Sequence, residues 1–203
     1  LQGLSLKNVQ LFARTEDGED SEFGEMLITH YGISGPIVLS LSSRINRKKH
    51  VDLWIDLKPA LSREKLNERL IREVNKNSNK EMHTILKNLV PKSLVEPLLF
   101  LSNLDPAMPA HQLTVEMRKE LVENFKRFPM TYRGLFDENT GIVTTGGIDV
   151  SELNPSTMES LKVSGLYFCG EVIDVDGPTG GYNLQIAFST GNLAGMSASK
   201  EEE

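Results

Sequence analysis

Gly165-Leu-Tyr-Phe-Cys-Gly-Glu-Val-Ile-Asp-Val-Asp-Gly-Pro-Thr-Gly-Gly-Tyr-Asn-Leu-Gln-Ile-Ala-Phe-Ser-Thr-Gly-Asn-Leu-Ala-Gly195 is the stretch that decides the fold of this chain. Residues 166–169 are an apolar run of strand formers, and Gly170 ends it. A loop rich in glycine and acidic residues follows, and a helical apolar pattern begins at about Tyr182. The stretch therefore predicts a strand, a glycine-rich acidic loop and a long helix.

The start of that helix has the chemistry of a ligand site. A helix entered through Gly180 and Gly181 exposes backbone N–H groups at its first turn and carries roughly half a positive charge there. Because glycine has no Cβ, a phosphate or the electron-rich edge of a flavin ring can lie against the backbone. Asp174 and Asp176 are placed to accept hydrogen bonds from ribityl or ribose hydroxyls. The alternative is an ordinary turn from strand to helix with solvated acids, since glycine-rich turns are common.

Two upstream stretches accompany this segment. One is Thr29-His-Tyr-Gly-Ile-Ser-Gly-Pro36, and the other is Val143-Thr-Thr-Gly-Gly-Ile148, followed by Thr157-Met-Glu-Ser160. With the C-terminal segment they resemble a bacterial family of NAD(P)/FAD-dependent oxidoreductases, which includes aminoacetone-oxidase-like and bile-acid-reductase-like flavoproteins. The three motifs keep one order over most of the chain, which makes the resemblance specific.

The resemblance implies an α+β and α/β organisation. The whole proteins of that family combine a Rossmann-type FAD domain with a β-barrel-like insert and a helical insert. This chain would then hold a β-rich insert portion (1–60), a helical insert (61–130), a returning β segment (131–150) and the C-terminal part of the FAD domain (151–203). The G-x-G-x-x-G fingerprint that holds the FAD pyrophosphate is not in the sequence. We therefore expect the isolated chain to bind FAD weakly or not at all and to be inactive. Because the resemblance covers only the later portion of the family's proteins, we also expect the start to be an internal cut.

The resemblance also implies a set of cofactor contacts. The 145–147 segment would approach the flavin ring, the 170–174 segment would hold the ribityl–phosphate side, and the helix start would stabilise negative charge at N1 and O2 of reduced flavin. The implied cofactor-binding residues are Thr145, Gly146, Gly147, Gly170, Glu171, Asp174, Gly177, Gly180, Gly181, Tyr182, Asn183 and Leu184. His30 is a weak candidate for a proton donor, since a lone histidine is more often structural.

The amino-acid composition limits the classes of partner that the chain is expected to bind. The net charge of −6 and a pI near 5.3 argue against nucleic acid and polyanionic membranes as partners. The single cysteine, Cys169, fits a reducing cytoplasm and is expected to be a core thiol in its strand. No run is long enough to span a bilayer, and no signal peptide is visible. Without Cys/His spacing for zinc or a complete EF-hand loop, we expect no metal site.

In the N-terminal part of the chain, the alternation of apolar and polar residues predicts mainly strands. Residues 4–13 alternate with a slip at Lys7-Asn8, which indicates a bulge. Residues 15–21 are expected to be an acidic loop, and 25–28 a short strand. A helix begins at Pro36 with Ser34 as its cap. The cleanest alternation lies at 51–57.

The pattern then becomes helical. Ser62 and Thr114 are candidate caps for two helices, and apolar stripes at 82–90 and 94–99 mark two more between them. These stripes predict a buried core. The chain returns to β structure at 128–134, turns at 137–141 and forms a strand at 142–145 that ends in Gly146 and Gly147. These glycines either approach a ligand or make a tight bend.

The function expected from these observations is that of a parent flavoprotein oxidoreductase. FAD would be reduced by NAD(P)H or by an organic small-molecule substrate, and an acceptor would reoxidise it. The alternative is a non-enzymatic interaction or scaffold module. The sequence does not distinguish NADH from NADPH, or an oxidase from a reductase.

Overall fold

The computed structural model describes residues 1–136, 141 and 143–199. The chain divides into two units, Leu1–Arg133 and Gly134–Glu203. The first unit carries an antiparallel sheet and five of the helices, which confirms the α+β organisation. The Rossmann-type closing portion and the four-segment division stay predictions.

A long hairpin begins the first unit. Strand β1 is Ser5–Thr15 and strand β2 is Gly18–Ile28. The register shifts between Leu6 and Val9, and Asn8 has a φ of 55°, so the predicted bulge is confirmed. The predicted acidic loop at 15–21 is wrong, because only two residues separate the strands. Arg14 and Glu19 face each other across the hairpin and form an ion pair of 2.7 Å, so the acids there are part of the ladder.

Three shorter strands complete the sheet, in the order β3-β2-β1-β4-β5. They are β3 (Ile33–Ser34), β4 (Asp52–Asp56) and β5 (Phe128–Met130). Helix α1 is Pro36–Ile45, with proline in its first turn as predicted. Ser34 is not its cap. Ser34 pairs with Leu27 in the sheet, and Gly35 occupies the cap position with a φ of 105°.

Four helices lie between β4 and β5: α2 (Arg63–Lys76), α3 (Met82–Leu86), α4 (Lys92–Leu101) and α5 (Val115–Lys126). Ser62 accepts a hydrogen bond from the Lys65 amide and Thr114 from the Met117 amide, which confirms both predicted caps. The predicted helix at 82–90 is wrong beyond Leu86, because the chain tightens there into turns with i to i+3 bonds. The predicted apolar positions are nevertheless buried.

Sheet and helices of the first unit share one hydrophobic core. Leu11 and Ile55 from the sheet and Leu66 and Phe125 from the helices are all fully buried in the same cluster. The tight connection from β4 to α2 is fixed by Lys126 of α5, whose ammonium donates to the Lys58 and Leu61 carbonyls.

The second unit is built around helix α6, Tyr182–Ala198, which begins where the sequence predicts. Ala194 of this helix forms a small buried cluster with Leu153, Met158 and Ile173. The rest of the described unit is irregular, with short 3₁₀ turns at Val150–Glu152 and Gly170–Val172.

Both strands predicted in the second unit are wrong. At 166–169, only Tyr167 pairs, in an isolated bridge to Glu159. At 143–145 the described residues form no strand, while Ile142 and most of the predicted 137–141 turn lie outside the described residues. A strand needs neighbours for its ladder bonds, and here single bridges replace the ladder. Cys169 is exposed, so the predicted core thiol is also wrong.

Within the described part of the chain, no helix combines the length and apolar character that a bilayer crossing requires.

Candidate functional site

The start of α6 is an uncapped helix end approached through two glycines in unusual conformations. Gly180 has a φ of 123° and Gly181 a φ of 94°. Gly181 occupies the cap position without a side chain, and its carbonyl accepts the first helical bond from Gln185. Tyr182 and Leu184 are exposed beside it. The first-turn N–H groups and the positive end of the helix dipole therefore receive no side-chain cap from the Gly181 position.

Asn183 fixes the loop that leads into this helix. Its side-chain oxygen accepts from the Gly177 amide at 2.8 Å, and its side-chain nitrogen donates to the Gly177 carbonyl at 2.9 Å. This reciprocal pair holds the turn that carries Gly180 and Gly181. Asn183 therefore acts on the shape of the loop.

Thr190, which the sequence did not single out, ties the helix to the segment before the loop. The Gly170 amide donates to its hydroxyl at 3.0 Å, and that hydroxyl donates to the Ile186 carbonyl one turn earlier. A threonine inside a helix commonly makes the second bond, and only the fold reveals the first.

Backbone and carboxylate bonds bring the 144–148 segment against the 171–174 segment. The amide and hydroxyl of Thr144 donate to Glu171 Oε1 at 2.9 and 3.0 Å, and the Gly146 amide donates to Asp174 Oδ1 at 3.0 Å. Ile148 completes the contact with backbone bonds to Val172 and Asp174. The structure thus unites two groups of predicted cofactor residues that lie more than 20 residues apart in sequence.

The electrostatics of this contact keep Glu171 ionised. Hydrogen bonds from the Thr144 amide and hydroxyl lower the pKa of the Glu171 carboxyl below its ordinary value. Its carboxylate is exposed to solvent, and its Oε1 atom already accepts hydrogen bonds from Thr144 of the neighbouring segment. Glu171 is therefore suited to accept hydrogen bonds and poorly suited to deliver a proton at neutral pH.

The glycines of the predicted site fall into two classes. A Cβ at Gly147 would overlap the Val172 carbonyl, and one at Gly177 would lie 3.0 Å from Tyr182 Cβ, so both are required by the packing of the chain itself. A Cβ at Gly146, Gly170 or Gly181 would meet no atom within 4 Å. These three glycines combine a positive φ with open space beside the backbone, where a ligand can approach.

His30 belongs to the first unit, in the turn between β2 and β3. Its ring lies against Tyr31 with 3.6 Å between centroids, and Tyr31 is 76% exposed. The Thr29 hydroxyl oxygen accepts from the amides of Tyr31 and Gly32 and shapes this turn. His30 is an exposed ring on a structured turn, and its role as a proton donor stays a prediction.

The described residues contain no group of three or more His, Cys, Asp or Glu side chains that could hold a metal ion. What the second unit offers chemically is a set of amides at a positive helix end, carboxylate acceptors, and backbone left open by glycine. Such a set binds and orients a ligand, and no described side chain in it is an evident acid or nucleophile.

Curated proteins resemble this chain over most of its length. It is 33% identical over 198 residues to a 3-dehydro-bile acid delta(4,6)-reductase of Clostridium scindens, which covers 96% of this chain and 48% of that protein. It is 38% identical over 185 residues to a ribosomal RNA dihydrouridine synthase of Haemophilus influenzae, covering 89% and 44%. A protein of the same description from Escherichia coli is 39% identical over 166 residues, covering 81% and 40%.

The chain spans about half the length of these relatives or somewhat less. The family model described as the HI0933-like protein barrel and H2TH domain matches residues 1–142, which include the whole five-stranded sheet and the four helices between β4 and β5. The family description, which combines a barrel with a helical H2TH domain, agrees with the sheet and helices of the first unit. The chain belongs to the HI0933-like family of oxidoreductase-related proteins.

Proposed function

We propose that this chain supplies part of the flavin site of an FAD-dependent oxidoreductase that saturates a carbon–carbon double bond conjugated to a carbonyl. The chemistry is suggested by the relatives' names. A 3-dehydro bile acid with Δ4,6 unsaturation and a uracil base both carry such a bond, and both named reactions describe its reduction. This reading favours a reductase over an oxidase.

The observation that carries the proposal is the uncapped start of α6, with open space beside Gly181. An anionic group at such an end gains about 0.3–1 kcal/mol when exposed and up to about 2 kcal/mol when partly buried. The open backbone at Gly146 and Gly170 lies in segments tied to the same unit by the Asp174 and Thr190 bonds. These features fit a group with a negative edge and many hydrogen-bonding hydroxyls.

When bound, the flavin would supply hydride to the electron-poor carbon, with NAD(P)H as the proposed donor, and a proton from solvent would complete the saturation at the neighbouring carbon. The residues of this chain would bind and orient the flavin. The amides of the first turn of α6 would face its negative edge, and Glu171 and Asp174 would accept hydrogen bonds from ribityl hydroxyls. Since the pyrophosphate fingerprint is not in the sequence, we expect the 203 residues alone to bind FAD weakly.

The test compares two glycine variants in the longer protein that contains this chain. Gly181→Ala adds a methyl group where the ligand is proposed to lie. Gly165→Ala is the matched control, because Gly165 also has a positive φ and open space but lies outside the proposed site. Both changes carry a similar backbone cost, of about 1 kcal/mol.

We expect Gly181→Ala to weaken FAD binding roughly tenfold or more, since a loss of up to about 2 kcal/mol is a factor of about 30. Gly165→Ala should leave the affinity within about twofold. Flavin fluorescence titration measures both. Equal effects of the two changes would refute the proposed site, and a longer protein without flavin affinity would favour the scaffold alternative.

The acceptor is defined here only by its conjugated double bond. Oxidation of NAD(P)H by the flavin-loaded protein, measured with a 3-oxo-4-ene steroid and with a uridine-containing RNA, would identify which class it reduces. The expectation of a small-molecule substrate without a nucleic-acid partner stays a prediction. The distribution of charge in the first unit provides a reason to test that expectation.

A further inference from the structure

The acidic net charge of the chain hides a basic segment in the helical part of the first unit. Residues 74–92 contain four lysines and a single carboxylate, whereas the whole chain has 28 acidic and 22 basic residues. The lysines are Lys76, Lys80, Lys87 and Lys92, and the carboxylate is Glu81. We call these four lysines the lysine segment.

The first half of the lysine segment is a structured loop. Lys76 is the last residue of α2, and the Lys80 amide donates to the Asn77 carbonyl in the turn that follows. The Lys80 carbonyl accepts from the Ala110 amide, and the Ser78 carbonyl accepts from the His111 amide. The loop is thus fixed against the 3₁₀ turn at 110–112, with both ammonium groups projecting from a rigid backbone.

The second half continues along α3. Lys87 follows the last residue of α3, and its amide donates to the His83 carbonyl one turn back. Lys92 opens α4. All four lysines are exposed. In the described part of the chain none of them forms an ion pair, and nearby Glu73 is held by Arg69.

Several other cations of the first unit are paired with carboxylates. Arg14, Arg44, Arg63, Lys126 and Arg127 each pair with a carboxylate of the same unit. Their charge is neutralised within the fold. Lys65 and Lys119 are also exposed and form no ion pair in the described part of the chain, but the lysine segment places four lysines against one carboxylate within residues 74–92. This local excess of positive charge is the electrostatic footprint of a polyanion partner.

We propose that the lysine segment binds the phosphate backbone of RNA. Its exposed residues are polar except for Pro91, and exposed Asn75, Asn79 and Asn88 add neutral hydrogen-bond donors. A membrane-binding surface would instead present apolar anchors among its lysines. Two of the relatives are named for a reaction on ribosomal RNA, which favours RNA as the polyanion. The proposal does not depend on the flavin chemistry.

The test measures RNA binding by the 203-residue chain without flavin or hydride donor. The probe is a fluorescein-labelled RNA stem–loop of about 24 nucleotides, long enough for several phosphate contacts, and anisotropy gives the dissociation constant at several KCl concentrations. The variant is the triple change Lys76→Gln, Lys80→Gln and Lys87→Gln. Lys92 is kept because it begins α4.

The matched control removes the same charge elsewhere in the first unit, by Lys7→Gln, Lys65→Gln and Lys119→Gln. These lysines are also exposed and lie on β1, α2 and α5. Lys65 and Lys119 form no ion pair in the described residues, and Lys7 makes only a long, solvent-exposed one of 3.9 Å to Glu25. Circular dichroism of each variant confirms that the fold is retained.

We expect the variant to bind roughly 10- to 100-fold more weakly, and the slope of log K against log salt to fall by about 2 to 3, because each phosphate contact contributes about 0.7 to 0.9. The control should keep most of the affinity and the slope. Equal losses in variant and control would overturn the proposal, as would no binding by the unchanged chain at micromolar concentration in 100 mM KCl. Cosedimentation with phosphatidylserine vesicles but no RNA binding would also overturn it. RNA binding by this chain, together with no flavin affinity in the longer protein that contains it, would support this surface and refute only the oxidoreductase.

Discussion

The buried ion pair between Asp56 of β4 and Lys126 of α5 should be the main polar link between the sheet and the helical part of the first unit. The Lys126 ammonium lies 2.5 Å from Asp56 Oδ2, and both side chains are only 9% exposed. Lys126 also donates to two carbonyls, and Asp56 accepts from the Lys58 amide. Every hydrogen-bonding direction that the pair needs is thus supplied within the fold.

Lys126→Met removes the ammonium but keeps the length and apolar stem of the side chain. It leaves a buried carboxylate with the Lys58 amide as its partner, and it removes the ammonium donor from the Lys58 and Leu61 carbonyls, of which the Lys58 carbonyl keeps the Leu61 amide. Breaking a buried pair from one side costs about 3–5 kcal/mol, because the remaining charge stays desolvated. Asp56→Asn in the same chain removes that charge, so the double variant should recover at least about 1.5 kcal/mol relative to additivity.

Urea unfolding followed by tryptophan fluorescence gives these free energies. Trp54 is the only tryptophan of the chain and lies two residues from Asp56, so the signal reports the first unit alone. Glu123→Gln is the control, since the Arg63–Glu123 pair is about half exposed and should contribute less than about 1 kcal/mol. If Lys126→Met costs no more than this control, or if the double variant shows no coupling, the reasoning about the buried pair is wrong.

Three further predictions concern the second unit. Hydrogen bonds from Thr144 lower the pKa of Glu171, so the stability that they contribute should be present above the ordinary glutamate pKa near 4.5 and lost as the pH falls through the lower pKa of the folded state. The chemical shift of the Thr144 amide in an NMR titration should follow this loss. Glu171→Gln should abolish the transition. Gly147→Ala should raise hydrogen exchange across 144–148 more than tenfold, whereas Gly146→Ala, which meets no atom, should raise it only modestly. Asn183→Ala should increase protease cleavage in the loop before α6 without unfolding the helix, and equal cleavage of both proteins would contradict its role there.

Local signals in the sequence predicted local structure well. The caps at Ser62 and Thr114, the slip at Asn8 and the proline at the start of α1 were all readable, because each depends on a few neighbouring residues. The alternation at 51–57 was readable for the same reason. The alternation predicts the strand but not its burial: β4 pairs with β1 and β5, and Leu53 to Asp56 are all buried.

The errors lie where a structure depends on distant partners. The sequence predicts a loop at Glu19 and Asp20 because their pairing with Arg14 and Ala13 of β1 is not visible in composition. The run at 166–169 looked like a strand because apolar residues favour one, yet a strand exists only with a neighbour, and Tyr167 pairs with a single residue. The same limit explains Cys169, whose predicted burial depended on that strand.

The candidate site shows why glycine alone does not identify ligand contacts. Gly147 and Gly181 both have a positive φ and both fit a ligand motif in the sequence, but only the fold shows that one faces the Val172 carbonyl and the other faces open space. The packing of the chain itself explains Gly147, whereas the open space beside Gly181 lets a ligand reach the backbone. Open space alone does not identify a site, since Gly165 also has a positive φ and open space beside it. At the start of α6, open backbone coincides with a positive helix end. The lysine segment follows the same logic, since a cation paired within the fold is explained and an exposed unpaired cluster on a rigid loop is not. In both places, function is to be sought in what the folded chain leaves unsatisfied.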